Sequence, residues 1–253
     1  ISQHILSLER LQGLRARAER ARSRKGQPHT VHYFHQVDDP YSALVAQSLP
    51  RLMARYDLTL QAHIVSPPGA AAAPERERLI AHSRVDAQRL ARHWSLDFPD
   101  GDRQPSTAAC DLATAQLVAS IDANRFVECV VEVSRALWQA DSKSVAFPLA
   151  TPNAVANHVA ASDQLRTRWG HYLGATLYYA GEWYWGIDRL YHLEQRLQEL
   201  GAQRAGVSGS LFPLVPDLSQ SVAINRPPAI EFFFLCAAPI RHWLPRGCLR
   251  WAA

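Results

Sequence analysis

The chain has 253 residues, of which 47% are hydrophobic, and a formal net charge of +4. This length allows a core of one large domain or two smaller ones, and no apolar run reaches the ~20 residues that a membrane-spanning helix needs. Six basic residues between Arg15 and Lys25, set against Glu19, carry a net charge of +5, so the rest of the chain is nearly neutral. A basic nucleic-acid-binding surface over the whole protein is therefore excluded, and we predict a cytoplasmic protein that binds neither nucleic acid nor membrane.

Residues 1–27 are predicted to form a basic helix, because Ile1, Ile5, Leu8, Leu11 and Leu14 recur at near-helical spacing. The basic end of this helix could bind RNA or an acidic lipid. The favoured alternative is a solvated helix end, where arginine side chains suit the negative end of the helix dipole.

A strand, a turn and a helix are predicted from Thr30 onward. Strand-forming residues fill 30–35, Asp38-Asp39-Pro40 ends the strand, and an apolar helical pattern follows over 43–56. Alternating apolar residues over 58–65 predict a second strand, so that 30–65 form a βαβ unit with parallel strands. The helix N-terminus beside Asp39 and Ser42 offers free N–H groups and partial positive charge to an anion.

The segment from about 74 to 168 carries only helical patterns, with Leu79, Ile80, Val85, Leu90 and Trp94 as the apolar face of its first helix. Its last helix is predicted to begin after Thr151, a cap residue, with Pro152 in the first turn. Residues 173–185 then predict two short strands joined by a turn at Ala180-Gly181, followed by a helix over 189–200.

Two segments of this chain resemble a known family. Asp39-Pro40-Tyr41-Ser42 is similar to S-P-Y-S, and residues 173–190 are similar to G-V-P-T-F…G-E-x-F-W-G-x-D-R-L. Both motifs belong to the DsbA-like thioredoxin-fold superfamily, in the branch of 2-hydroxychromene-2-carboxylate isomerases and kappa-class glutathione transferases. The resemblance implies an α/β, thioredoxin-like domain over 28–205, with βαβ and ββα halves and an all-helical insertion between them over about 74–168.

The resemblance also implies a site. Asp39 and Ser42 take the motif positions of the catalytic group, glutathione is the implied cofactor, and a small molecule or thiol is the implied substrate. The implied substrate groove is formed by Pro40, Tyr41, Ala175, Thr176, Gly186 and Asp188. No metal is implied, and a homodimer is conceivable.

The chain departs from the family at two chemically important positions. Asp39 stands where the isomerases carry a catalytic serine, and an ionised carboxylate repels a thiolate and donates no hydrogen bond. Ala175 stands where the family has a cis-proline, and we expect a trans peptide bond there because a cis bond before a non-proline residue costs about 3 kcal/mol. Both departures weaken the case for thiolate chemistry.

Several of these residues have a purely structural interpretation. Asp39 is expected to cap the helix by accepting backbone N–H bonds, and Ser42 to be a first-turn hydroxyl. Trp183 and Trp185 share a strand face and are predicted to pack in the core. A metal pair formed by His35 and His63 is conceivable but disfavoured.

The four cysteines are Cys110, Cys129, Cys236 and Cys248. They form no C-x-x-C motif and show no zinc spacing, so we predict reduced thiols and no dithiol–disulfide activity.

Residues 206–228 are predicted to be a linker, because they are rich in glycine and proline without periodicity. Residues 229–253 are predicted to start a second thioredoxin-like domain that is truncated by a frameshift. One permitted back-translation of 235–244 reads L-R-S-P-Y-S-A-L-A in another frame, which contains the family motif. Two functions therefore stay open: a glutathione-dependent isomerase, transferase or thiol oxidoreductase, and a non-catalytic thioredoxin-like binding module whose catalytic partner domain is missing.

Overall fold

A computed structural model of the chain describes residues 8–139 and 147–213. Within these ranges seven α-helices, four strands and one 3₁₀ turn follow one another. In chain order they are α1 (Leu8–Arg24), β1 (Thr30–His35), α2 (Pro40–Arg55), β2 (Thr59–Ile64), α3 (Arg76–Trp94), α4 (Thr107–Asp122), α5 (Phe126–Gln139), α6 (Pro152–Arg168), β3 (Thr176–Tyr179), β4 (Glu182–Trp185), the 3₁₀ turn (Ile187–Arg189) and α7 (Leu190–Glu199). The predicted order of elements is confirmed.

The four strands form one mixed sheet in the order β2-β1-β3-β4. β1 and β2 run parallel, and the other two neighbouring pairs are antiparallel. The hairpin turn between β3 and β4 is made by Ala180 and Gly181, which both have positive φ, at 51° and 96°. Two residues in this conformation match the twist of a two-residue hairpin, so the chain reverses here without splaying its strands. The βαβ and ββα halves are confirmed.

One continuous core joins the sheet to the helices. Val31 and Tyr33 of β1 and Leu177 of β3 are fully buried with Leu49 and Leu52 of α2. α2 packs against α3 and α5, while α4 contacts α5, α6 and β2, so the helices between the two halves cover the sheet instead of standing apart from it.

The buried face of α3 differs from the predicted one. Leu79 and Val85 are exposed, and the buried residues of this helix are Ser83, Ala87 and Ala91. Ala87 and Ala91 pack against Leu44 of α2. Small side chains let two helices approach closely, so the contact with α2, rather than the largest apolar residues, sets the orientation of α3.

The basic helix α1 is held by charge as much as by apolar contact. Leu8 and Leu14, whose spacing predicted the helix, are exposed. Arg15 binds Glu182 of β4 with two hydrogen bonds, from Nε to Oε1 at 2.8 Å and from Nη2 to Oε2 at 2.6 Å. Ile1 and Ile5 lie outside the described residues. None of the helices in the described ranges is long and apolar enough to cross a membrane.

The first part of the predicted linker packs on the domain. Phe212 is buried, and its ring meets that of Trp94 edge-on with centroids 5.1 Å apart. The backbone N–H groups of Leu211 and Phe212 donate to the buried carboxylate of Glu194. The remainder of the linker and the predicted second domain, with its frameshift, lie outside the described residues.

We expect Phe212→Ala to lower the free energy of unfolding by about 3–5 kcal/mol, because it opens a cavity beside Trp94 in a packed core. Urea unfolding followed by tryptophan fluorescence measures the loss. Leu211→Ala is the matched control, since that neighbouring side chain is only partly buried. A loss equal to that of the control would mean that residues 206–213 are not part of the folded core.

Candidate active site

The junction between β1 and α2 is closed by Asp39. Its backbone is extended, with φ −100° and ψ 120°, and Pro40 follows in the first turn of the helix. The Asp39 carboxylate accepts from the backbone N–H of Tyr41 at Oδ1, 3.3 Å, and from that of Ser42 at Oδ2, 3.1 Å. The predicted capping role is confirmed. The N–H groups that were expected to face an external anion are therefore bonded to a side chain of the same loop.

The hydroxyl of Ser42 joins the two halves of the domain. It donates to Asp39 Oδ2 at 2.9 Å, and it accepts from the backbone N–H of Gln36 at 3.2 Å and from that of Ala175 at 2.9 Å. Ser42 is fully buried. All three hydrogen-bonding capacities of a hydroxyl are thus used inside the protein, and this hydroxyl lies beneath the cleft rather than in it.

The loop before β3 approaches β1 very closely at Gly174. A Cβ atom placed there would lie 2.4 Å from Cβ of Gln36, so only glycine fits. The next residue, Ala175, has φ 51°, and its peptide bond is trans as expected. A left-handed backbone is uncommon for alanine, and the N–H bond from Ala175 to Ser42 helps to hold it.

The remaining predicted groove residues of this half lie outside the cleft. Thr176 is fully buried in β3, and the N–H of Gly186 donates to the carbonyl of Ala175 at 2.9 Å. Asp188 lies next to Gly186, half-exposed, with its carboxylate 3.8 Å from Arg189. These residues support the backbone behind Ala175.

An open cleft of about 820 Å³, counting its mouth, lies over the start of α2. Asp39, Pro40 and Tyr41 line it from one side. The other walls, which sequence reasoning missed, come from the β1–α2 loop, the segment from β2 into α3, the loop before β3 and the end of β4: Gln36, Asp38, Pro68, Ala72, Arg76, Leu79, Ile80, Ser83, Tyr172, Leu173, Gly174 and Trp185.

The prediction that Trp185 packs in the core is wrong. Its side chain is 43% exposed, lines the cleft and meets the Tyr41 ring edge-on with centroids 5.8 Å apart. The strand alternation that grouped Trp183 with Trp185 is correct, but at Trp185 that face of the sheet opens onto the cleft.

Burial dominates the electrostatics of Asp39. Although part of the residue reaches the surface, desolvation raises the pKa of its carboxyl group to about 6, and the bonds from Ser42 and Tyr41 only partly offset this rise. The neighbouring Asp38 raises the pKa further. Asp38 itself accepts from Gln36 Nε2 at 2.9 Å and lies 3.3 Å from Arg76. The cleft thus holds one carboxyl group that changes charge near neutral pH.

Tyr41 is the second polar group of the cleft. Its hydroxyl donates to Asp86 Oδ2 at 2.8 Å. Burial, with Asp86 beside it, raises the pKa of Tyr41 well above its ordinary value, so the hydroxyl stays protonated and fixed in place.

The structure does not bring His35 and His63 together, as the disfavoured metal-pair hypothesis would require. His35 and His63 lie on opposite faces, because the register places Phe34 next to His63. His35 bonds through Nδ1 to the Tyr33 hydroxyl at 2.9 Å, whereas His63 meets His32, with Nε2 and Nδ1 3.0 Å apart. In the described ranges no group of three or more His, Cys, Asp or Glu side chains could hold a metal ion.

Neither described cysteine belongs to the cleft. Cys129 is buried and Cys110 is half-buried, and both are free thiols. Burial raises the pKa of Cys110 to about 11, which opposes thiolate formation. Cys236 and Cys248 lie outside the described residues.

No protein-family model and no curated protein matches the sequence. Among solved structures, the chain is similar to a probable DsbA oxidoreductase from Streptomyces coelicolor, at 13% identity and a TM-score of 0.51, over 72% of this chain and 94% of that one. It is also similar to a 2-hydroxychromene-2-carboxylate isomerase, at 18% identity and a TM-score of 0.49, over 68% of this chain and 96% of that one. The fold is that of DsbA-like thioredoxin-fold proteins.

In this DsbA-like fold, some of the cleft walls that sequence reasoning missed lie within or beside the two motifs, and others come from the helical insertion. Arg76, Leu79 and Ile80 belong to α3, and Tyr172 precedes β3. The sequence signal that could have placed α3 at the cleft was the adjacent apolar pair Leu79 and Ile80 near its start. The packed face of this helix is formed by smaller residues.

Ser42→Ala is expected to lower the free energy of unfolding by about 1–3 kcal/mol, since it leaves the N–H groups of Gln36 and Ala175 without an acceptor. Ser48→Ala is the control: that hydroxyl is equally buried in α2, but it only donates to the carbonyl of Val45. Urea unfolding of both variants measures the difference. Equal losses would show that Ser42 does not couple the two halves.

The charge of Asp39 should make stability depend on pH. A carboxyl group whose pKa is raised in the folded state stabilises the fold below its unfolded pKa, and this contribution is lost as pH rises through the folded pKa. From pH 4 to pH 7, wild type should lose roughly 2 kcal/mol relative to Asp39→Asn, an uncharged residue that still caps helices. Urea midpoints measured across this range test the slope, and parallel curves would contradict the raised pKa.

Proposed function

We propose that this chain is a non-redox protein of the DsbA-like thioredoxin fold that binds a small organic molecule in the cleft. We further propose that its chemistry, like that of an isomerase, is proton transfer by Asp39 rather than thiol exchange. The observation that carries this proposal is the position of the Asp39 carboxyl group, which lines the cleft while it caps α2.

The properties of Asp39 suit an acid–base role. General acid–base catalysis is most efficient when the pKa of the catalytic group lies near the working pH, and the pKa of Asp39 is raised to about 6. Its Oδ2 atom accepts two hydrogen bonds from Ser42, whereas Oδ1 accepts only one long bond from Tyr41. The second lone pair of Oδ1 is the one that could take a proton from a bound molecule.

The walls of the cleft favour a ligand with an apolar body. Leu79, Ile80, Leu173 and Trp185 are among the apolar residues that line it. Arg76 already pairs with Asp38, so an acidic group of a ligand would have to share its guanidinium with that carboxylate.

The same geometry argues against thiol chemistry. A thiolate beside the N-terminus of α2 would face the ionised carboxylate of Asp39, and the N–H groups of Tyr41 and Ser42 are already bonded. We therefore propose that glutathione, the cofactor implied by the sequence resemblance, enters this cleft only in its neutral thiol form. Arg76 is then the residue that would pair with one of its carboxylates.

The second candidate function, a non-catalytic binding module, is favoured by a different observation. The Ser42 hydroxyl and the Asp39 carboxylate form a closed network with Gln36 and Ala175. Such a network could serve stability alone, with the cleft binding a ligand that it does not transform.

Three measurements test the proposed absence of thiol chemistry. Titration calorimetry with glutathione and S-methylglutathione at pH 8 should give equal affinities for wild type, because no thiolate is stabilised. Asp39→Ser, which restores the family motif, should bind glutathione at least about tenfold more tightly than S-methylglutathione. Insulin reduction above the background of free cysteine would overturn the non-redox proposal.

For catalysis, the probe is 2-hydroxychromene-2-carboxylate, the compound named for one structural neighbour. Isomerisation should rise with pH through about 6 and be lost in Asp39→Asn. The control is Asp188→Asn, whose carboxylate lies outside the cleft. Binding of the probe without turnover would favour the non-catalytic module.

A further inference from the structure

A second cavity lies at the opposite end of β1 from the cleft. It encloses about 920 Å³, counting its mouth, between the end of α1, the first residues of β1, the β3–β4 turn and α7. β1 has six residues, so roughly 20 Å of strand separates the two sites. The cavity shares no lining residue with the cleft.

Arg196 of α7 lines this cavity, and its ion pair among the described residues is a long one. The side chain is only 7% exposed, and its Nε atom is buried without a hydrogen bond. The nearest carboxylate among the described residues is that of Glu199, 3.9 Å from Nη1, which is too far for a hydrogen bond. Glu199 lies equally far from Arg15. A buried cation in this state is costly, and an anion in the cavity would offset that cost.

The other charges around the cavity leave it positive. Glu19 and Arg22 neutralise each other through two hydrogen bonds of 2.9 and 2.6 Å. Arg22 also donates through Nη1 to the carbonyl of Gln27. Lys25 lines the cavity as well, and no carboxylate in the described part of the chain pairs with it. Among the residues that the structure describes, Arg196 has only the long pair with Glu199, which it shares with Arg15, and Lys25 has none, so the two cations leave the cavity with excess positive charge.

The remaining polar groups of the cavity do not oppose an anion. Tyr179 lines it, with its hydroxyl 2.6 Å from Nδ1 of His29. Burial raises the pKa of Tyr179 to about 12, so the hydroxyl stays neutral, and burial lowers the pKa of His29, so that ring is neutral at pH 7. Gln61 and Thr30 lie at the same cavity and carry groups that can donate a hydrogen bond.

We propose that this cavity binds a phosphate group through Arg196 and Lys25. A phosphate group carries between one and two negative charges at neutral pH, more than a single carboxylate, which suits a cavity with excess positive charge. The planar guanidinium of arginine forms paired hydrogen bonds with phosphate oxygens. The site is independent of the proposed function, since no residue of the cleft takes part.

Isothermal titration with inorganic phosphate, at constant ionic strength adjusted with chloride, tests the site on the full chain. Wild type should show saturable binding, and Arg196→Met should weaken it at least about tenfold, since charge-assisted hydrogen bonds are lost. Arg17→Met is the matched control: it removes the same charge from an exposed position of α1 that does not line the cavity. Equal phosphate affinity in the two variants, or no binding beyond chloride, would overturn the proposal.

A second variant, Lys25→Met, and a second measurement, the melting temperature, distinguish a loss of phosphate binding from misfolding. Lys25→Met changes an exposed residue and should weaken phosphate binding severalfold with an unchanged melting temperature. Arg196→Met should melt no lower than wild type in phosphate-free buffer, because it removes a buried charge with only a long ion pair among the described residues. A lower melting temperature for that variant, together with undiminished phosphate binding in Lys25→Met, would mean that Arg196 is structural.

Glycerol 3-phosphate separates the two sources of the phosphate group. Tighter binding than for inorganic phosphate indicates a ligand with an organic body, and equal binding indicates free phosphate. Both results support the site, and binding of neither compound contradicts it.

Discussion

The Ser42 hydroxyl is the contact on which the two halves of this domain depend. It bonds to the loop after β1 through Gln36 and to the loop before β3 through Ala175, which lies 133 residues later in the chain. Gly174 allows that approach, because any side chain there would overlap Gln36. The position of the whole ββα half relative to the βαβ half is therefore fixed by one buried hydroxyl, one glycine and the antiparallel pairing of β1 with β3.

Asp39 completes this arrangement and changes its chemistry. A helix N-terminus next to a strand can offer its N–H groups to an external anion, but here a carboxylate from the loop itself takes them. Three hydrogen bonds favour the ionised form of Asp39, yet desolvation outweighs them and the net shift of its pKa is upward. The result is a group that holds its proton weakly near neutral pH. A carboxylate stabilised by the same bonds in water would have stayed ionised over the whole physiological range.

Patterns within a few adjacent residues predicted most of the secondary structure but few of the residues that line the cleft. The strands, the caps at Asp39 and Thr151 and the hairpin turn at Ala180-Gly181 are each decided by a few adjacent residues, and all were predictable. The partners of Ser42, the position of Arg76 and the pairing of His63 with His32 depend on strand register and helix packing across long sequence separations. α3 shows the reason: the small residues Ala87 and Ala91 face α2, and this turns Leu79 toward the cleft against the expectation from hydrophobicity alone.

α7 carries two buried charged side chains that differ in their hydrogen-bond partners. Glu194 is fully buried, and its carboxylate accepts from Tyr56, Leu211 and Phe212. Arg196, two residues further along the same helix, is almost as buried but has no hydrogen-bond partner among the described residues. Both charges are costly to bury, and a purely structural position of this kind is usually filled by an apolar residue or given a partner. The contrast between the two side chains is therefore the reason to treat the cavity at Arg196 as a binding site rather than as a packing defect.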